Sequence, residues 1–261
     1  MFTDLYYYVY TEVFNLNFDA EKCTKACIKG IQEWFEENGK GCKAVIGISG
    51  GLDSTVTAYL LKEALGKDRV IGVLMPNGFQ SDFADAQQVI AESGIDFMYA
   101  NISAAVDAVY NSIKDNKGLE IVSEQTRINL PPRIRMSTLY AISQSVNGRV
   151  INTCNLSEDF IGYNTIYGDS AGDYAPIACF TKSEVREIGR YLGISENLLN
   201  KAPADGLCGK TDEDNLGFTY EELDSYIREG SRSVNEDVRT KIEKLHRQNA
   251  FKLEPMAFFS Y

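Results

Sequence analysis

Apolar positions along this chain recur with two different periods. Between Asp19 and Asn38, Cys23, Cys27, Ile31, Trp34 and Phe35 return at helical spacing, and Gly39 and Gly41 follow as a stop signal. Ala44 to Ile48 is instead an unbroken apolar run, the mark of a strand covered on both faces. Helix and strand then alternate: helix Ser54 to Leu65, strand Arg69 to Met75, helix Ser81 to Glu92 with Ser81 as cap, strand Asp96 to Ile102, helix Ala104 to Asp115. Pro131 and Pro132 predict the opening of a helix that begins Arg133-Ile-Arg-Met and runs to Ser145, and Arg149 to Thr153 predicts a further strand. A capping box, Thr181-Lys-Ser-Glu184, opens a helix to Leu192, and Tyr220 to Arg228 and Val234 to Gln248 are the last helices. Lys201 to Phe218 reads as a long mobile loop of the kind that closes over a site. Residues 1 to 17 are aromatic-rich and show no clear period. This alternation predicts a doubly wound, mostly parallel α/β sheet with helices on both faces, whose ligands bind beyond the carboxyl ends of the strands.

At such a strand end stands Gly47-Ile-Ser-Gly-Gly-Leu-Asp-Ser54. Gly50 and Gly51 lack Cβ atoms, so the backbone can turn sharply and bring N–H groups to an anion at the positive end of the following helix. The turn lacks the Gly-Lys-Ser/Thr ending of the common triphosphatase loop and the spaced three-glycine pattern of dinucleotide folds. Other candidates lie where charge and helix polarity conflict. Arg133 and Arg135, in a predicted first turn, oppose the helix dipole unless an anion sits there; a salt bridge to an acidic neighbour is the alternative. Lys182, at a first helical position, either meets an anion or is a solvated surface lysine. Asn155 with Glu158 forms either a capping box or, through Glu158, part of a metal site, and both readings are open. Gly162 to Asp173 is a glycine- and aspartate-rich loop suited to recognition. His246, the single histidine, lies at the edge of the stripe Val238, Ile242, Leu245 and taken alone is a structural residue.

Length and composition narrow the classes. The 261 residues have room for one large domain, and no linker divides 1–261; 44% apolar and 24% charged residues are ordinary for a globular protein. No apolar run reaches the ~20 residues that span a bilayer, and the amino terminus has no basic region before an apolar stretch, so no membrane partner or secretory route is expected. Six cysteines without zinc or redox spacing point to buried thiols and a reducing cytoplasm. A net charge of −11 disfavours nucleic acid as a partner and requires any phosphate site to concentrate its cations locally.

Ser-Gly-Gly-x-Asp-Ser after a hydrophobic strand resembles the signature of the ATP pyrophosphatases, which cleave ATP between the α and β phosphates. Together with Asn129 to Met136, Thr153 to Glu158, Gly162 to Asp173, Lys182, Lys201-Ala-Pro through Asp212-Glu213 to Gly217, Tyr220-Glu-Glu-Leu-Asp-Ser-Tyr-Ile and His246-Arg247, the chain resembles the ammonia-dependent NAD+ synthetases over most of its length. The resemblance implies a five-stranded, Rossmann-like sheet of the adenine nucleotide alpha-hydrolase type. It implies ATP on Gly47, Ile48, Ser49, Gly50, Gly51, Leu52, Asp53 and Ser54, with Thr153 and Lys182 also contacting the nucleotide. Mg2+ would be held by Asp53 and Glu158, and deamido-NAD+ by Arg133, Asp173, His246 and Arg247. Asp53 and Lys182 are then the catalytic candidates, and the protein is a homodimer. ATP would adenylate the nicotinate carboxylate, and ammonia would attack it to give NAD+ and AMP. A fused glutamine-hydrolysing domain would need a few hundred further residues, so free ammonia, or ammonia from a separate partner, is expected. Two departures stand out: Ile166 where the family commonly has lysine, and Ala204 where it commonly has a hydroxyl, with Lys210 or Arg135 as possible compensation. The rival readings are another ATP pyrophosphatase, such as a tRNA-thiolating or GMP-forming ligase, and a nucleotide sensor without turnover.

Overall fold

The computed structural model describes residues 18–78, 83–119, 121–200 and 211–259. The aromatic-rich start, the predicted cap Ser81, and Ala204, Cys208 and Lys210 lie outside the described residues. In chain order the elements are α1 (Ala20–Asn38), β1 (Lys43–Gly47), α2 (Leu52–Leu65), β2 (Val70–Leu74), α3 (Phe83–Ser93), β3 (Asp96–Tyr99), α4 (Ser103–Lys114) and α5 (Glu124–Ser145). They continue with β4 (Gly148–Ile151), α6 (Leu156–Ile161), α7 (Lys182–Tyr191), α8 (Glu196–Leu199), α9 (Asp212–Leu216), α10 (Tyr220–Glu229) and α11 (Glu236–Asn249).

Among the described residues the sheet has four strands in the order β3-β2-β1-β4, every pair parallel. The predicted fifth strand is reduced to one bridge on the open edge of β4, where Asp173 N–H donates to the Val150 carbonyl (2.7 Å) and Asn152 N–H to the Tyr174 carbonyl (2.9 Å). From β1 the chain winds outward through β2 to β3, then returns to the other side of β1 as β4. That reversal puts a topological switch point between β1 and β4, and a crevice opens beyond the carboxyl ends of such strands.

Side chains of β1 alternate between two cores. Ala44 and Ile46 join Ile31 and Phe35 of α1 and Val56, Leu60 and Leu61 of α2, whereas Val45 joins Ile71, Val73, Val150 and the α5 residues Met136 and Leu139. Complete burial of each large side chain contributes roughly 1.5–3 kcal/mol, so the strand is held from both faces. A third cluster (Ile161, Phe218, Leu223, Val238, Ile242) packs α6 against α10 and α11.

Two predicted boundaries are corrected. The prolines do not open α5; they stand inside it, and the helix starts earlier because the Ser123 hydroxyl caps it by accepting from Thr126 N–H (3.2 Å). Each proline removes its own donor to the preceding turn, yet the helix continues on both sides. Arg133 and Arg135 are therefore mid-helix, and the first-turn electrostatic penalty does not apply to them. Within the predicted loop Lys201 to Phe218, residues 212–216 form α9, started by a capping box between Thr211 and Asp214 and ended by Gly217 in the left-handed region.

The thiols are structural. Cys27 Sγ donates to the Pro176 carbonyl (3.4 Å) and Cys154 Sγ to the Asp169 carbonyl (3.3 Å). Burial pushes Cys27 up to about 12, Cys179 to about 11 and Cys154 well above the usual thiol range. Thiolate is the reactive form, so at about pH 8 these three should alkylate far more slowly in the folded protein than after unfolding. Peptide mapping after iodoacetamide treatment checks this, and rapid labelling of Cys154 in the folded state would contradict it.

Candidate functional site

β1 runs directly into the glycine turn at the switch point. Gly50 adopts φ +79°, and a Cβ there would lie 2.6 Å from Ala86 N and 2.8 Å from Asp85 Cβ, so the turn presses on the first turn of α3. Two serines brace it: Ser54 Oγ accepts from Ser49 N–H (3.3 Å), shares a hydrogen bond with Ser49 Oγ (3.1 Å) and donates to the Gly51 carbonyl (3.2 Å). Gly51 is the cap residue of α2 and has no side chain with which to cap the N–H groups of the first turn. A helix start of this form suits an anion.

The charged centre comes from three elements. Asp53 stands in the first turn of α2, Glu158 in that of α6 just beyond β4, and Lys182 at the first position of α7. Lys182 Nζ is 2.7 Å from Glu158 Oε1 and 3.5 Å from Asp53 Oδ2, and the residue is only 4% exposed. Lys182 is therefore not a solvated surface lysine, and the anions it meets are the protein's own carboxylates. Asn155 is the cap: its Oδ1 accepts from Glu158 N–H at the start of α6 (3.0 Å), while its Nδ2 donates to Asp53 Oδ1 (2.9 Å). The Glu158 side chain, which in a capping box would fold back on Asn155 N–H, pairs with Lys182 instead.

Burial penalises charge on Glu158, Lys182 opposes that, and Asp53 adds to it, so the carboxyl is pushed up to about 8. Burial also works against the Lys182 charge, but Asp53 and Glu158 outweigh it and hold the ammonium well above its usual range. Burial first, and the neighbouring Asp53 second, make Glu158 easier to protonate, while the two carboxylates keep the lysine charged. Asp53 and Glu158 thus fit a hard divalent cation such as Mg2+, which takes one or two protein carboxylates and fills its octahedron with water and phosphate oxygens. Among the described residues no cluster of three or more His, Cys, Asp or Glu is placed to hold a metal.

The Tyr220 ring lies over Lys182, with Nζ 4.2 Å from the ring centroid, and its hydroxyl donates to Asp212 Oδ2 (3.4 Å). Sequence patterning reads Tyr220 only as a helix start; its cover over the lysine is a tertiary fact.

The other predicted ligands have partners of their own: Arg133 and Arg135 lie on α5, Asp173 beside β4, and His246 and Arg247 on α11. Arg133 Nε donates to the Ile166 carbonyl (3.2 Å), and Arg135 Nε to the Met75 carbonyl at the end of β2 (3.1 Å). Asp173 accepts from Val150 N–H (2.7 Å) and the Tyr140 hydroxyl (3.2 Å). His246 Nδ1–H donates to the Phe160 carbonyl (2.7 Å), and its ring stacks on that of Phe160 at 4.3 Å; Arg247 Nε donates to the Glu243 carbonyl (3.2 Å). Thr153 lies two residues beyond the end of β4 and two before Asn155.

A parallel sheet flanked by helices, a serine-braced glycine turn at its switch point and a buried lysine between two carboxylates define a doubly wound α/β protein. The family model described as NAD synthase matches residues 23–256. The NH(3)-dependent NAD(+) synthetase of Pyrococcus furiosus is 36% identical over 238 residues, 85% of this chain and 89% of that protein, and the Finegoldia magna enzyme of the same name is 37% identical over 235 residues, 87% and 92%. Among solved structures, NMN synthetase from Francisella tularensis superposes with a TM-score of 0.86 at 30% identity, covering 94% of this chain and 100% of that one. NH3-dependent NAD synthetase from Campylobacter jejuni gives 0.77 at 29% identity with the same coverage. The chain belongs to the NAD synthase family. Among its described residues no helix is long and apolar enough to cross a membrane.

Proposed function

We propose that this protein amidates deamido-NAD+ to NAD+ with ammonia at the expense of ATP, as a homodimer of single-domain chains in the cytoplasm. The observation that carries the reading is the buried Lys182 between Asp53 and Glu158 beside the glycine turn; the names of the relatives agree with it.

A carboxylate is a poor electrophile, so the reaction runs in two stages. A nicotinate carboxylate oxygen attacks the α-phosphorus of ATP, the bond to the β-phosphate oxygen breaks, and pyrophosphate leaves. Ammonia then adds its lone pair to the acyl carbon, the bond to the AMP oxygen breaks, and a proton is lost from nitrogen. Gly47 to Ser54 hold the phosphates against the start of α2, Lys182 neutralises charge developing at the transferred phosphorus, and Thr153 supports the nucleotide. Arg133, Asp173, His246 and Arg247 hold the dinucleotide. Asp53 and Glu158 would hold Mg2+, which supplies charge neutralisation at the phosphates when bound.

The reading is tested by AMP and pyrophosphate release with ATP, deamido-NAD+ and ammonium, and by replacing ammonium with glutamine. Ammonium should support turnover and glutamine should not, and Asp53→Ala should abolish pyrophosphate release. A wild-type protein that binds ATP but never releases pyrophosphate would make it a sensor instead.

A second reading has its own support. The Francisella protein, superposing over its whole length, is named for a mononucleotide product, and Ile166 stands where the family commonly has a lysine, leaving only its backbone carbonyl to meet Arg133. On that reading the substrate is nicotinate mononucleotide, and comparing kcat/KM for the mononucleotide and the dinucleotide decides between them.

A further inference from the structure

Three residues of α10, one turn apart, grip the first turn of α7. Tyr220 covers the Lys182 ammonium, Asp224 Oδ2 accepts from Ser183 N–H (2.8 Å), and Arg228 Nε donates to Glu184 Oε1 (2.8 Å). Spacing of four places them along one side of the helix, and Leu223 and Ile227 border that side and pack with Tyr220 in the third core cluster. Asp224 is the unusual member. It is a carboxylate only 6% exposed, and its hydrogen-bond partners are neutral: Ser183 N–H and the Ser157 hydroxyl. The Ser157 oxygen in turn accepts from Lys182 N–H (3.0 Å). Asp224 therefore holds the residue just before Glu158 and the residue just after Lys182, and through Ser157 the main chain of Lys182 itself.

We propose that Asp224 is a positioning residue for the reaction, setting Lys182 and Glu158 in register by tying the starts of α6 and α7 together. The proposal rests on the functional reading above. A buried carboxylate with no cationic partner among the described residues is an expensive way to join two helices if packing alone were needed, since an apolar contact would do so without desolvating a charge. A charged acceptor instead fixes both donors in direction, and misplacement by about 1 Å can cost as much as ~100-fold in rate. Glu184 completes the arrangement: it accepts from Thr181 N–H in the capping box (2.8 Å) and pairs with Arg228, so α10 secures α7 on both sides of Lys182.

The test compares Asp224→Ala, Asp224→Asn and Leu223→Ala by kcat, KM for ATP and Tm, at a temperature where each variant is folded. Leu223 is fully buried in the third cluster beside Asp224 and touches neither Ser157 nor Ser183 through hydrogen bonds, so it reports a loss of packing alone. Asp224→Ala should lower kcat by about ten- to a hundredfold with KM for ATP changed far less. Asp224→Asn, which keeps one acceptor oxygen and serves if the alanine variant does not fold, should fall between alanine and wild type. Leu223→Ala should lower Tm at least as much while its kcat stays within about twofold of wild type. Equal losses of kcat in Asp224→Asn and Leu223→Ala at matched Tm, or wild-type kcat in either Asp224 variant, would overturn the proposal and leave the functional reading standing. A wild-type protein without turnover on either nucleotide would remove both.

Discussion

Lys182→Met is expected to lower kcat by roughly 100- to 1,000-fold, the range seen when one preorganised charge donor is removed from an enclosed site. Nζ is the cation that holds Glu158 and Asp53 together, at 2.7 and 3.5 Å, and the lysine is almost wholly buried. Methionine fills similar volume but leaves the two carboxylates facing each other without a counter-charge. Breaking a buried pair from one side costs about 3–5 kcal/mol, an upper bound here because the carboxylates are partly exposed and Glu158 already protonates readily. Stability should therefore fall less than activity. Lys182→Arg should not restore turnover: a planar fork needs more room than the space between Glu158 and the Tyr220 ring offers a compact ammonium. Steady-state pyrophosphate release and thermal unfolding of both variants check this, and a Lys182→Met protein within about tenfold of wild type would remove the lysine from the chemistry.

Gly50→Ala should be nearly as damaging, for a reason that is mechanical rather than electrostatic. The backbone there has φ +79°, where an L side chain costs roughly 1–2 kcal/mol. In addition the new methyl would lie 2.6 Å from Ala86 N and 2.9 Å from Asp85 C, backbone atoms that cannot rotate away. Relief requires α3 or the glycine turn to shift, at about 1–3 kcal/mol more. A Tm loss on the order of 10 °C is expected, together with loss of ATP-dependent turnover because the turn itself has moved. Gly41→Ala separates the two contributions: φ is +74°, but nothing lies within 4 Å of the added carbon. It should show the conformational cost and keep its activity. Equal Tm losses in the two variants would mean that contact with α3 is unimportant.

Much of this architecture was legible before any coordinates. The unbroken run Ala44 to Ile48 marked β1, the paired glycines marked its turn, and the capping box at Thr181 set the start of α7 to the residue. Local signals of this kind are legible because the partners lie within four residues of each other. Where a local rule admitted two outcomes, the sequence was silent or misleading. Proline favours a helix start, but Ser123 had already capped a longer helix that could tolerate two missing donors. Asn155 was a cap and also a link to Asp53, 102 positions away, which no window along the chain contains.

The sequence by itself determined the alternation of elements, the position of the glycine turn on the first strand, and the chemical types available at the site. Those follow from periodicity, backbone sterics and composition, all of which act along the chain. Only the tertiary structure decided that Lys182 is buried between Asp53 and Glu158, that Tyr220 covers it and that Asp224 joins its helix to that of Glu158. These contacts join α2, α6, α7 and α10 across the switch point. Their energies depend on through-space distance and on the exclusion of water, two quantities that exist only once the sheet and its helices have packed.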